Sequence, residues 1–293
     1  MTEFDAELER RRGEIEEALH HSIPPPDSRP PELHAAMRHS LEAGGKRLRP
    51  IVVIAAAELC KDPVDSLPAA LAVELLHTYT LIHDDLPAMD DSSLRRGRAA
   101  VHVAFDEATA ILAGDALLTR AFELLATGYT GQPEIGLRLV RELATAAGSM
   151  RLIGGQAEDT AAEHQQISAE ALDYIHLNKT AALLEACGRM GLICGRANES
   201  TIEAMTAALR ALGLAFQIQD DILDATSTAG VLGKTVGADA ANAKNTYVAF
   251  HGLEHSRKHA TELTSEALAH LEKVPGNTDF LKKLFQRLLT RNA

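Results

Sequence analysis

The chain has 293 residues, 46% of them hydrophobic, which is enough to bury a sizeable core and too apolar for a disordered segment. Its 29 Lys and Arg against 41 Asp and Glu give a net charge of −12, which excludes a general nucleic-acid binder but not anionic substrates met by local basic clusters. Cys60, Cys187 and Cys194 form no CxxC or zinc spacing and read as free thiols of a reducing compartment.

Met1 to His21 is studded with Glu and Arg and lacks the apolar stretch of a secretory signal. Apolar runs such as Ile51 to Ala57 fall far short of the ~20 residues that span a bilayer. A cytoplasmic protein with no membrane segment is expected. Residues 1–31 read as an N-terminal helix followed by a Pro-rich link through Pro24-Pro25-Pro26. Next comes Gly44-Gly45-Lys46-Arg47-Leu48-Arg49-Pro50, a flexible glycine loop presenting three cations ahead of an apolar helix. Its spacing matches neither a P-loop nor a dinucleotide fingerprint.

Apolar residues three or four apart then predict helices over Ala69 to His83, Ala108 to Ala126, Glu134 to Gly148, Ala169 to Cys187, Ile202 to Leu223 and Leu253 to Lys273. Breaks are expected at Pro63, Pro87, Gly128 to Pro133, Gly154-Gly155, Gly230 to Gly237 and Pro275-Gly276. Strand signals are scarce and no short repeat is present. The expected architecture is all-α, with residues 1–293 as one domain.

Two aspartate groups carry chemistry: Asp84-Asp85-Leu86-Pro87-Ala88-Met89-Asp90-Asp91 and Asp220-Asp221-Ile222-Leu223-Asp224. Asp220 and Asp224 project from one helix face, and Asp221 leans toward Asp224. The first group falls at a helix C-terminal end, where anions oppose the helix dipole and call for a functional reason. Adjacent carboxylates repel and are relieved by a cation, and magnesium takes oxygen ligands together with water and phosphate oxygens. Either cluster alone also has the composition of an exposed acidic helix end. Basic counterparts are Lys46, Arg47 and Arg49 in the glycine loop, Arg95-Arg96-Gly97, Lys179-Thr180, Lys234 and Lys244. Singly, each reads as an ordinary surface residue. As a set beside glycine loops and aspartates, they suit a diphosphate.

The motifs GGKRLRP, LIHDDLPAMDD, LRRG, AGDAL, GGQAED, NKTAALLEACGRMG, FQIQDDILD and LGKTVGAD, in that order, resemble those of the trans-prenyltransferases (polyprenyl synthetases), most closely the bacterial farnesyl diphosphate synthases. The likeness implies a single helical bundle of the isoprenoid synthase type with a central cavity, acting as a homodimer. The implied reaction condenses isopentenyl diphosphate with an allylic diphosphate (dimethylallyl or geranyl) to give farnesyl diphosphate. By the same likeness, Asp84, Asp85, Asp90, Asp220, Asp221 and Asp224 are metal ligands for three magnesium ions. Arg95, Lys179, Thr180, Gln217, Lys234 and Lys244 contact the allylic substrate, while Lys46, Arg49, His77 and Arg96 bind isopentenyl diphosphate. Gln156 and Asp159 form a polar pair near the cavity. Of these residues, Asp84, Asp85, Asp90, Arg95, Lys179, Asp220 and Lys234 are the implied catalytic set.

An aromatic residue at Tyr79, beside Thr80, implies a floor that limits product length; ordinary core packing is the alternative there. Ser92-Ser93, Ala99-Ala100 and Val248 depart from the family pattern and bring loop rigidity into question. The rival readings are a geranylgeranyl diphosphate synthase, a terpene cyclase and a non-catalytic partner subunit. Lys46, Arg49 and Arg96 supply a second diphosphate site that a cyclase does not need. A partner subunit would be expected to lose one aspartate motif, and both are present.

Overall fold

The computed structural model describes residues 2–163, 165–226 and 245–289. The fold is all-α. It begins with α1 (Glu3–Ser22), closed at its start by a capping box between Thr2 and Asp5. It continues through α2 (Pro31–Leu41), α3 (Leu48–Ala57) and α4 (Leu67–Asp84). Among the described residues the only strands are β1 (Leu94–Arg95) and β2 (Arg98–Ala99), a two-stranded hairpin. Then come α5 (Val101–Ala104), α6 (Glu107–Gly128), α7 (Pro133–Ala147), α8 (Leu152–Ala162) and α9 (Ala169–Ile175). A π-helical stretch (His176–Ala181) leads into α10 (Ala182–Cys194). The remaining elements are α11 (Glu199–Thr226), α12 (Tyr247–His251), α13 (Leu253–Leu271) and α14 (Asp279–Leu289).

The chain divides into two compact units, Met1–Ile54 with Asp65–Val140, and Ala55–Val64 with Arg141–Ala293. In the first, α4 is the central helix. It is buried around most of its circumference, from Ala69 through Leu76 and at Tyr79 and Ile82, as a helix apolar on every side must be. It packs along α6 and is flanked by α1 and α2. Arg38 of α2 fastens the Pro-rich link by donating to the carbonyls of His20, Ile23 and Pro24. In the second unit, α11 is the spine. Its 28 residues run about 42 Å and lie against α10, α13 and the π stretch. α14 buries Leu281, Leu284, Phe285 and Leu288, a stripe at helical spacing.

Two sequence expectations are corrected. Gly154-Gly155 was expected to break the chain but lies inside α8, and the interruption falls just before it at residues 148–151. The glycines serve close approach there: a Cβ on Gly155 would sit 2.4 Å from the Lys179 backbone nitrogen. The helix expected over Ala169 to Cys187 is continuous and runs on to Cys194, but it widens to π pitch across His176–Ala181. The Asn178 side chain donates to the Tyr174 carbonyl at 2.9 Å, satisfying an acceptor where the regular ladder is interrupted. Cys60, Cys187 and Cys194 are thiols outside any disulfide, and among the described residues no helix is long and apolar enough to cross a membrane.

Candidate active site

In the first unit the acidic group forms where α4 ends. Asp84 closes the helix, and Asp85 caps it with its N–H on the Leu81 carbonyl. The chain then folds back so that the Asp90 N–H reaches the Asp84 carbonyl at 2.9 Å, bringing the two ends of the motif together. Asp85 is 2% exposed, and its carboxylate accepts from Arg95 Nε at 3.0 and 3.1 Å and also from Arg95 Nη2. Burial opposes the Arg95 charge, but the bonds to Asp85 and the fields of Asp85, Asp84 and Asp90 outweigh it and hold the pKa up.

Arg95 leads into the hairpin, where Arg95 pairs with Arg98 and Leu94 with Ala99. Arg96 (φ 53°) and Gly97 (φ 75°) make the turn, both left-handed, as a two-residue type I′ connection requires. Arg95 turns to Asp85, while Arg96 donates to the Gly44 carbonyl in the glycine loop. Gly45, at φ 141°, lies so close that a Cβ would meet the Arg96 guanidinium at 2.8 Å. Ala99 and Ala100, departures from the family pattern, are both held: the Ala99 carbonyl accepts from His39 Nε2 at 2.7 Å, and the Ala100 N–H donates to Ser93.

The glycine loop does not present three cations as expected. Arg47, at φ 48°, turns inward, is 3% exposed and pairs with buried Glu74 at 2.7 Å. Its Nη2 also donates to the Leu41 carbonyl, so Arg47 anchors the loop from beneath. Arg49 Nη1 lies 3.2 Å from His77 Nε2. Since an arginine can only donate, Nε2 is the acceptor and His77 is neutral with its proton on Nδ1. Burial, then the fields of Arg49, Arg96, Arg47 and Arg95, keep the His77 pKa well below its usual value. Arg96 is likewise pushed down, by burial and by Arg47, Arg95 and Arg49 against the pull of Glu74. Such crowding of positive charge is relieved by an anion. Further back on α4, Tyr79 is buried and stands edge-on to His83, while the Thr80 hydroxyl donates to the His77 carbonyl.

In the second unit, Gln217, Asp220, Asp221 and Asp224 lie on the last turns of α11, with Gln217, Asp220 and Asp224 along one face. The Asp221 carboxylate accepts the Tyr247 N–H at 2.6 Å and lies 3.9 Å from His176. Lys179, on the π stretch beside Thr180, meets Asp159 of α8 at 2.6 Å, while Gln156 contacts Thr160 at 3.5 Å. His176 is pushed down to about 4 by burial, with Asp159 pulling it up and Lys179 pushing it further down. Beneath this group, buried Glu185 accepts from Arg151 at 2.6 Å and from Arg210 at 3.0 Å, tying the start of α8 to α10 and α11. Lys234 and Lys244 lie outside the described residues.

Among the described residues no three His, Cys, Asp or Glu side chains converge as a closed metal cage. The donor set nevertheless fits magnesium: hard carboxylate oxygens, paired at helix ends, suit an ion that keeps water and substrate phosphate oxygens as its other ligands. Sequence reading missed His176, His83 and the inward Arg47, and it gave Asp85 no arginine partner.

A family profile described as Polyprenyl synthetase matches residues 30–287. A farnesyl diphosphate synthase of Haemophilus influenzae is 42% identical over 296 residues, covering 100% of both chains. Geranylgeranyl pyrophosphate synthase 12, a chloroplastic protein of Arabidopsis thaliana, is 44% identical over 92% of this chain and 76% of its own. Among solved structures, a geranyltransferase from Helicobacter pylori, complexed with magnesium and isoprenyl diphosphate, superposes with a TM-score of 0.85 at 33% identity, covering 99% of this chain and 97% of that one.

Proposed function

Because the chain belongs to the polyprenyl synthetase family and is a short-chain trans-prenyltransferase, we propose that it condenses isopentenyl diphosphate with dimethylallyl or geranyl diphosphate, giving farnesyl diphosphate and releasing diphosphate. The observation that carries this reading is the crowd of Arg49, Arg95 and Arg96 around a neutral His77, adjoining Asp84, Asp85 and Asp90. The first unit thus offers a receptor for an anion beside carboxylates suited to a divalent cation.

In this proposal Asp84, Asp90, Asp220 and Asp224 contribute carboxylate oxygens toward three magnesium ions, and Asp85 and Asp221 do so while also holding Arg95 and the Tyr247 N–H. When bound, the metal supplies Lewis-acid stabilisation of charge on the departing diphosphate. Arg95 and Lys179, with Thr180, Gln217, Lys234 and Lys244, hold the allylic diphosphate while its C–O bond breaks. Lys46, Arg49 and Arg96 hold isopentenyl diphosphate, and His77 orients Arg49 by accepting its N–H. The isopentenyl double bond then forms the new C–C bond with the allylic cation, and a proton leaves to the released diphosphate.

We further propose a cytoplasmic homodimer working as one catalytic domain. Val103 of α5 at 52% exposure and Leu112 and Ile111 of α6 at 57% and 43% are exposed apolar side chains that a second copy would cover. Three thiols outside any disulfide fit a reducing compartment. A geranylgeranyl product is the second reading, favoured by the 44% identity to the Arabidopsis enzyme.

Incubating the protein with magnesium, isopentenyl diphosphate and each primer in turn, followed by mass spectrometry, tests the proposal. A farnesyl product from geranyl diphosphate is expected. No extension of any primer would overturn it, and a geranylgeranyl product would select the second reading.

A further inference from the structure

Gly114 of the AGDAL motif and His83, which immediately precedes the first aspartates, have no part in the chemistry above, yet they interlock. His83 lies one turn after Tyr79 on α4, and its ring meets Tyr79 edge to face with centroids 4.9 Å apart and planes at 80°. Across on α6, the Ile111 carbonyl lies 3.1 Å from His83 Nε2. A carbonyl can only accept, so Nε2 carries the proton and the ring has one orientation. Gly114 provides the space: a Cβ there would stand 2.2 Å from His83 Nε2 and 2.5 Å from its Cδ2. Asp115 lies on the same side, 3.9 Å from Nε2. Thr80 takes no part in this stack, because its hydroxyl is bonded within α4.

We propose that His83, seated in the Gly114 notch, is a specificity-determining positioning residue that holds the Tyr79 ring in place and so sets product length. This rests on the reading that Tyr79 is the floor met by the growing tail. A phenol ring with nothing behind it can turn about its side-chain bonds and yield to a longer chain. With His83 fixed by α6 at its back, that movement is blocked, and α4 and α6 together define the stop.

The test measures product ratios, which are independent of how much total activity a variant retains. Tyr79→Ala, His83→Ala, His83→Gln, His83→Phe and the double variant Tyr79→Ala/His83→Ala are each supplied with geranyl diphosphate and excess isopentenyl diphosphate. Tyr79→Ala should lengthen the product. His83→Ala and His83→Gln, which remove the ring, should each raise the ratio of geranylgeranyl to farnesyl product on the order of tenfold, the upper end of what an edge-to-face pair is worth. The glutamine variant serves if the alanine variant does not fold. His83→Phe, which keeps a ring but loses the bond to the Ile111 carbonyl, should give a ratio between those of His83→Ala and the parent, and the double variant should make products no longer than Tyr79→Ala alone. A parental ratio in both His83→Ala and His83→Gln alongside a lengthened product in Tyr79→Ala overturns the role of His83 and leaves the Tyr79 floor standing. An unchanged ratio in Tyr79→Ala overturns the floor itself.

Discussion

Replacing Gly155 by alanine tests how the second unit positions Lys179. In an exposed helix the change is favourable: at Gly13 of α1, where a Cβ meets nothing within 4 Å, it should stabilise the protein by about 0.5–1 kcal/mol. At Gly155 the added carbon would lie 2.4 Å from the Lys179 nitrogen and 2.9 Å from the Asn178 carbonyl carbon, both backbone atoms. Ordinary contact begins at 3.4 Å, so α8 and the π stretch must separate by 3.4 − 2.4 = 1.0 Å. Overpacking of this kind costs about 1–3 kcal/mol. A displacement near 1 Å at a group that orients substrate costs about a hundredfold in rate. The expected result is a kcat/KM for the allylic diphosphate about a hundredfold lower, ~2.7 kcal/mol, with the loss appearing mainly in kcat while KM for isopentenyl diphosphate holds. Steady-state kinetics with each substrate varied, beside thermal unfolding, measure both. Parental kinetics with an unchanged Tm would show that α8 can retreat without moving Lys179, and the reasoning would fail.

Glu74→Ala should destabilise the protein by about 3–5 kcal/mol in denaturant titration, because Arg47 is left buried with only the more distant, half-exposed Glu16 carboxylate at 3.7 Å. The paired change Arg47→Met with Glu74→Leu should recover most of that loss, and a single-variant cost below about 1 kcal/mol would contradict the pairing. His77 is neutral in the fold with a pKa below its unfolded value of about 6.5, so the unfolded chain binds more protons in acid. Its contribution is therefore complete above about pH 6.5 and is lost as the pH falls toward the folded pKa. His77→Gln should flatten the slope of Tm against pH on the acid side of that value, and an unaltered slope would count against a neutral His77. Removing divalent ions with EDTA should abolish turnover and added magnesium should restore it; turnover that survives exhaustive chelation would remove the metal from the mechanism.

The helices were legible because Ala, Leu and Glu at helical spacing settle both propensity and the buried face, as along α4 and α11. The aspartates could be placed at helix ends for the same reason. What escaped was decided by tertiary approach. Glycines normally end helices, and only close approach, of Gly155 to residues 178–179 and of Gly154 to the Ser149 carbonyl, explains the pair inside α8. No local signal announces the π pitch at Lys179. Lys46, Arg47 and Arg49 are equivalent as letters, and a single positive φ at Arg47 sends that side chain to Glu74. His176 and His83 sit in apolar runs and read as core. Their spacing, three residues before Lys179 and four after Tyr79, was the available clue.

The Arg95–Arg96 turn has a thermodynamic consequence. Its six residues, Leu94 to Ala99, carry both guanidinium groups on one short ribbon, with Arg95 held by Asp85 and Arg96 by the Gly44 carbonyl. If Arg95 and Arg96 each meet one of the two proposed diphosphates, a displacement of the ribbon by one anion would be felt by the other. Any effect of one diphosphate on the affinity for its companion would then, by linkage, be the same factor in both directions. Calorimetric titration of each ligand, with and without the other, would reveal that reciprocity as matched changes in Kd.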